Sequence, residues 1–310
     1  MSQILLIAAL ILMAVSGAPL FLIISAAALI SFYFLGIDLS VVVIEMYRLA
    51  ANPVLQALLF FSFAGYVLAE GHASRRLLRL SSALLGFAPG GLAIVSLLTC
   101  AFFTALTGAS GITIVALGGL LFPALMDDGY SEKFSLGLLT TCGSLGLLFP
   151  PSLPLIIYGI VAEVDISRLF LAGVLPGALM LVLLSLHSML QGWRQGAGAA
   201  RKEERPRFDL RELRAAVRES VWELLLPVVV LGGIFGGFLV LSEAATITAL
   251  YTLLVGVVIH REVRLAQIPR LIVRTTVMVG AIVVILGASL AFNSFLIDQQ
   301  VPNRILQFMQ

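Results

Sequence analysis

The chain has 310 residues, 60% of them hydrophobic and only 12% charged, with a formal net charge of +2. Soluble domains are closer to half apolar and a quarter charged, and the excess here lies in long runs, which excludes a soluble globular fold. The one extended basic run is short and mixed with acids, which argues against nucleic-acid binding.

A bilayer-spanning helix needs about 20 mostly apolar residues. In hydrocarbon the backbone must pair internally, so such runs are expected to be helical. In chain order they fall at 4–35, 53–69, 84–104, 112–126, 135–150, 153–162, 169–191, 221–241, 244–260 and 275–297. The first lacks a basic leader and is too long for a secretory signal. Pro19 interrupts it, giving one kinked helix or two shorter pieces.

The polar breaks carry Arg75, Arg76 and Arg79, then Arg194, Arg201, Lys202, Arg205, Arg207, Arg211, Arg214 and Arg218 in 192–220, then Arg261, Arg264, Arg270 and Arg274. Basic loops mark the cytoplasmic side. This places 70–83, 127–133, 192–220 and 261–274 inside, and 163–168 and the turn near Glu243 outside. Segment 84–126 dips in and returns as a re-entrant hairpin or crosses twice; both give the same loop sides. Residues 201–220 place Phe208, Leu210, Leu213, Ala216 and Val217 among charges, which fits a helix on the membrane surface. An ordinary solvated connector fits equally well.

Cys100 and Cys142 lie in apolar segments and are read as small buried hydrophobes, with no disulfide or metal spacing. His72, His187 and His260 stand isolated near segment ends and are read as interfacial, not as ligands. The spans show no His cluster, carboxylate pair or nucleophile–base set, and there is no GxxxxGK[ST] phosphate loop. An enzyme is therefore not expected.

Two stretches break the apolar pattern. The first is TGASGITIVALGG, from Thr107 to Gly119; the second runs from Gly143 to Pro154 and contains Pro150, Pro151 and Pro154. A proline in a helix interior costs about 3 kcal/mol, and broken backbone at membrane depth is tolerated where protein or a watery cavity receives it. A proline kink, and small residues serving close helix packing, are the plainer readings. The functional reading is a pair of discontinuous helices. Unwound carbonyls and hydroxyls would ligate sodium, and half-helix N-termini would offer N–H groups to an anion. The expected contacts are Thr107, Gly108, Ser110 and Gly111 at the first break and Ser144, Gly146, Pro150, Pro151 and Ser152 at the second, with Glu243 a weaker candidate whose plainer reading is an interfacial cap on the 244–260 helix. With no buried lysine or arginine expected, a bound cation would supply the positive charge for a carboxylate.

From Thr107 to Gly177 the order TGASGITIVALGG, GxLGxxxPPSxPxIxYG (143–159) and LFLAGVLPG (169–177) resembles the large, DctM-like membrane subunit of tripartite ATP-independent periplasmic (TRAP) transporters. The likeness continues through GGIFGGFLVLSEAA at 232–245, where the family's Thr-Pro is Val240-Leu241. It implies an all-α polytopic protein, the first half of an inverted-repeat, elevator-type ion-transporter fold with a re-entrant hairpin and a proline-broken helix. Family members run on into a second hairpin and a second broken helix, so the resemblance marks this chain as lacking the C-terminal part. The implied organisation is scaffold helices in 1–83, the hairpin and broken helix of a transport domain in 84–162, a connecting helix in 163–191, a cytoplasmic amphipathic connector in 192–220, further scaffold helices in 221–274, and a truncated second repeat in 275–310.

The expected role is sodium-coupled import of a small organic acid across a bacterial inner membrane. The implied partners are a small membrane subunit and a periplasmic binding protein; sodium is the coupling ion and no other cofactor is expected. A non-transporting fragment and another sodium:anion symporter are the alternatives.

Overall fold

The computed structural model describes residues 2–86, 90–108, 110–195 and 209–309. Arg201, Lys202, Arg205, Arg207 and Phe208 of the basic connector lie outside these ranges. The described residues form fifteen α-helices. Four are long and apolar enough to cross a membrane, or six if each of two bent helix pairs counts as one span.

The 4–35 run divides at Pro19 into α1 (Ser2–Val15) and α2 (Leu20–Leu35), and α2 stops at Gly36, whose φ of 68° suits a left-handed cap. Then come α3 (Ser40–Ala50) and α4 (Val54–Glu70). Next is α5 (Ala73–Leu85), where the apolar-run criterion expected only a polar break. This helix is amphipathic: Leu77 and Leu80 are buried while Arg79 is exposed, so no long apolar run announces it.

Two helices, α6 (Gly91–Thr107) and α7 (Ser110–Asp127), fold back around Gly108. Ser131 caps α8 (Glu132–Leu145) by accepting from the Phe134 amide, with Glu132 in the first turn. A 3-10 turn at Gly146–Leu148 and the extended Phe149–Ser152 then lead to α9 (Leu153–Ala162). Helix α10 (Ile166–Gln195) has 30 residues, about 45 Å at 1.5 Å per residue, longer than the bilayer core is thick. Its outward positions Leu171, Leu175, Leu179, Leu183, Leu186 and Leu190 are exposed leucines, an arrangement suited to lipid.

Beyond the undescribed stretch, Asp209 caps α11 (Leu210–Glu219). This helix packs on α5, with Arg79 bonded to Glu212 (2.7 Å) and Glu219. The remaining helices are α12 (Val221–Phe235), α13 (Leu241–Leu254, continued by a π-helical stretch to Ile259), α14 (Ile268–Asp298) and α15 (Val301–Met309).

The chain forms two compact units. One comprises Met1–Leu55 with Thr276–Gln310, the other Gln56–Thr275. The smaller holds a core of Ala28, Phe32, Val42 and Ala291, with Phe32 edge-on to Phe295. The larger is built around α6, whose Leu97, Cys100 and Phe103 pack with Leu117 and Leu121 of α7 and Leu138, Cys142 and Leu145 of α8. Both cysteines are free and buried, as small hydrophobes. This core positions both sequence breaks.

Candidate functional site

At the first break α6 ends where Gly108 turns left-handed (φ 67°), its N–H capping the Thr104 carbonyl at 2.7 Å. Only glycine adopts this φ without strain, and the reversal starts α7 two residues later. Beneath the tip lies a chain of hydroxyls. Thr104 Oγ1 donates to Thr113 Oγ1 at 2.8 Å, and Thr107 Oγ1 lies 3.4 Å from the same oxygen. All three threonines are fully buried. Buried hydroxyls need partners, and these satisfy one another across the two arms of the hairpin.

At the second break α8 and α9 are bent by 47° relative to each other. Pro150 and Pro151 remove two backbone donors, and the chain passes through extended conformations at Phe149 and Ser152. The Ser152 hydroxyl donates to the Leu147 carbonyl, and the Phe149 amide donates to the Gly146 carbonyl at 3.1 Å. Pro154 sits in the first turn of α9, where its missing N–H costs nothing.

The two breaks touch. Gly108 faces the side chain of Leu153, the first residue of α9. Gly146 lies against Thr104, so close that a Cβ there would stand 2.6 Å from the Ala101 carbonyl oxygen. From the other side α4 presents Gly65 to Thr107, leaving only 2.8 Å between an added Cβ and the Thr107 carbonyl oxygen. Hairpin tip, 3-10 turn and α9 start thus form one packed locus.

Of the residues expected at the site, Thr107, Gly108, Gly146, Pro150, Pro151 and Ser152 are buried at this locus or on its margin. Ser110 is partly buried, and its carbonyl oxygen lies 3.1 Å from where a Cβ on Gly143 would be. Gly111 and Ser144 are exposed, outside the packed centre. Glu243 is exposed and accepts from the Val240 amide at 3.0 Å, serving as a cap on α13. Thr104, Thr113 and Gly65 belong to the locus and were not anticipated. Threonines three apart at 104 and 107 share a helix face, which was the available signal; Gly65 gave none, since its role depends on which helix crosses it.

The expectation of no buried basic residue fails at Arg76, whose side chain is 8% exposed. Its guanidinium bonds Glu223 of α12 at 2.6 Å and Glu262, while Glu262 also accepts from the His72 amide at 2.8 Å. His72 Nδ1 lies 3.5 Å from Glu262, and His260 Nε2 lies 3.9 Å from Glu223, so these two histidines are not isolated. Residues 147 and 186 positions apart in sequence meet here, beyond any local pattern. Burial alone would lower the Arg76 pKa, but the bonds to Glu262 and Glu223 outweigh it and raise it. At Glu262 burial pushes upward, yet Arg76 and the His72 amide hold the carboxyl below its ordinary value.

The family model described as "Tripartite ATP-independent periplasmic transporter, DctM component" matches residues 4–310. The isethionate TRAP transporter permease protein DctMQ of Oleidesulfovibrio alaskensis is 35% identical over 82% of this chain and 40% of its own length. The C4-dicarboxylate TRAP transporter large permease protein DctM of Pseudomonas aeruginosa is 31% identical over 86% of this chain and 61% of its own length. The ectoine/5-hydroxyectoine TRAP transporter large permease protein UehC of Ruegeria pomeroyi is 32% identical over 94% and 67%. The matches to the first two span 40% and 61% of those relatives. All three are described as transporter permeases, not enzymes. With a match over nearly its whole length, and apolar helices to go with it, the chain is a multi-pass membrane protein that belongs to the DctM family of TRAP transporter large permeases.

Proposed function

We propose that this chain is the permease subunit of a sodium-coupled secondary transporter that imports a small organic acid across a bacterial inner membrane. The observation that carries the reading is the contact between the two breaks: a glycine-turned hairpin tip abuts a proline-broken helix, in a setting of buried hydroxyl and carbonyl oxygens. An all-oxygen donor set suits a hard cation. The half-helix N-termini of α7 and α9 add fixed positive dipole ends for an acid. Sodium would then bring the charge that a permanently buried lysine would supply only at high insertion cost.

The relatives named for isethionate, C4-dicarboxylates and ectoine support a small acidic or zwitterionic solute. A small membrane subunit and a periplasmic binding protein are the partners we assign, with the hairpin and broken helix moving together as an elevator. The basic connector would face the cytoplasm.

The test is uptake into proteoliposomes holding the chain with those two partners, with and without an inward sodium gradient. Sodium-driven accumulation of one of the three solute classes is expected, with weaker sodium dependence after Ser110→Trp. Uptake indifferent to the gradient would overturn sodium coupling, and no uptake of any class would overturn the permease reading.

A further inference from the structure

One cavity of about 390 Å³ lies beside the hairpin within the larger unit, lined by Tyr66, Ala69 and Glu70 of α4, Gly111, Ile112, Val115 and Ala116 of α7, and Arg274 of α14. Its size falls at the small end of ligand pockets. Three features give it chemical direction. Arg274 is a cation on its wall, its side chain 45% exposed. The nearest acid, Glu70, stands 3.9 Å away, beyond hydrogen-bonding reach, so the guanidinium fork is not spent on it. Glu70 meanwhile accepts from the Gln267 amide at 3.1 Å, so it keeps a partner if Arg274 turns to another acid. Gly111 and Ile112 on the cavity wall belong to the first turn of α7, the positive end of an 18-residue helix.

We infer that this cavity is a subsite for one carboxylate or sulfonate group of a small solute, with Arg274 as its anchor. A planar guanidinium matches either oxyanion with paired hydrogen bonds. The first turn of α7 adds dipolar attraction, and Gly111, lacking a side chain, leaves the approach open; a Cβ there would meet nothing within 4 Å. Glu70 is a displaceable counter-ion that holds Arg274 near the cavity between binding events. Its role in transport rests on the permease reading above; the anion site itself does not.

The experiment uses the full chain in detergent with Ala116→Cys as a reporter on the cavity wall, since Cys100 and Cys142 are buried. Labelling rates are measured with 2-sulfonatoethyl methanethiosulfonate, itself a sulfonate, and with a neutral methanethiosulfonate of similar size. Succinate and isethionate serve as competitors. Competitors should slow labelling, and Arg274→Gln should weaken that protection about tenfold, the loss of one charge-assisted contact, while the neutral reagent reacts as before. Glu70→Gln, which removes the competing acid, should strengthen protection several-fold, a gain that a merely structural ion pair would not give. Protection unchanged in R274Q, or undiminished reactivity with either competitor present, overturns the site. Should R274Q fail to fold, the E70Q result decides: unchanged or weakened protection overturns the site. Sodium-driven uptake is read separately. Uptake without Arg274-dependent protection leaves the permease reading standing without this subsite, and protection without uptake leaves an anion site without the permease reading.

Discussion

The larger unit buries polar groups in two different ways. At the hairpin tip and broken helix the polar atoms are uncharged: three threonine hydroxyls, the Ser152 hydroxyl and the carbonyls of a disrupted backbone. Where α5 meets α12, they are ions: Arg76 against Glu223 and Glu262. The first arrangement holds dipoles in place and leaves the charge to be brought by a bound solute or ion. The second ties Arg76 to two carboxylates, while Glu223 Oε2 and His260 Nε2 are left without hydrogen-bond partners among the described residues. Buried charge here ties distant segments together, and the uncharged locus is the better candidate for transient binding.

The largest effect is expected at Arg76. Arg76→Met leaves Glu223, whose side chain is 1% exposed, without its main partner. Removing one member of a buried pair costs roughly 3–5 kcal/mol, so a large drop in unfolding midpoint is expected by denaturant titration in detergent. Adding Glu223→Met should recover part of that loss. Failure to recover any of it would show that the tie depends mainly on Glu262.

At the uncharged locus the largest effect should come from Gly146→Leu. The added side chain collides with Thr104 and the Ala101 carbonyl, and overpacking of a tight contact costs about 1–3 kcal/mol. Thermal unfolding should report that loss. Sodium-driven uptake should fall further than stability does, because the collision separates the 3-10 turn from the hairpin.

Acid should distinguish the two regions next. Glu262 titrates below its ordinary value of 4.5 in the fold, so its contribution is fully present above the unfolded-state pKa. That contribution is lost as pH falls through the lower folded value. Melting temperature should therefore hold from pH 7 to about pH 5 and decline below about pH 4, and Glu262→Gln should flatten the decline. A hydroxyl locus has no such dependence. The smallest effect is expected for Thr104→Val, which keeps the volume but removes the donor to Thr113. We expect about 1 kcal/mol in stability, together with a measurable shift in the sodium concentration for half-maximal uptake.

Much of the helical layout was legible in the residues. The expected 153–162 segment coincides with α9 because Pro154 belongs in a first helical turn and an apolar run follows it. Pro19 marked a break in the first segment but left open one kinked helix or two, and two formed. Helices α3, α5 and α15 went unread: α5 and α15 carry charge on one face, and α3 is short, so none makes a long apolar run. Of the candidate site, the two breaks were legible because glycine and proline act locally. Gly65 and Thr113 were not, because each matters only through the helix packed against it; Thr104 showed only as the partner of Thr107 on one helix face.

The amino-acid order by itself determined that the chain enters a membrane as helices and where those helices rupture, since hydropathy and backbone chemistry act within a few residues of one another. Only the tertiary structure decided that the two ruptures adjoin and that Arg76 is enclosed by acids 147 and 186 residues away. Those outcomes depend on which surfaces meet when distant helices pack, and no local pattern encodes that pairing.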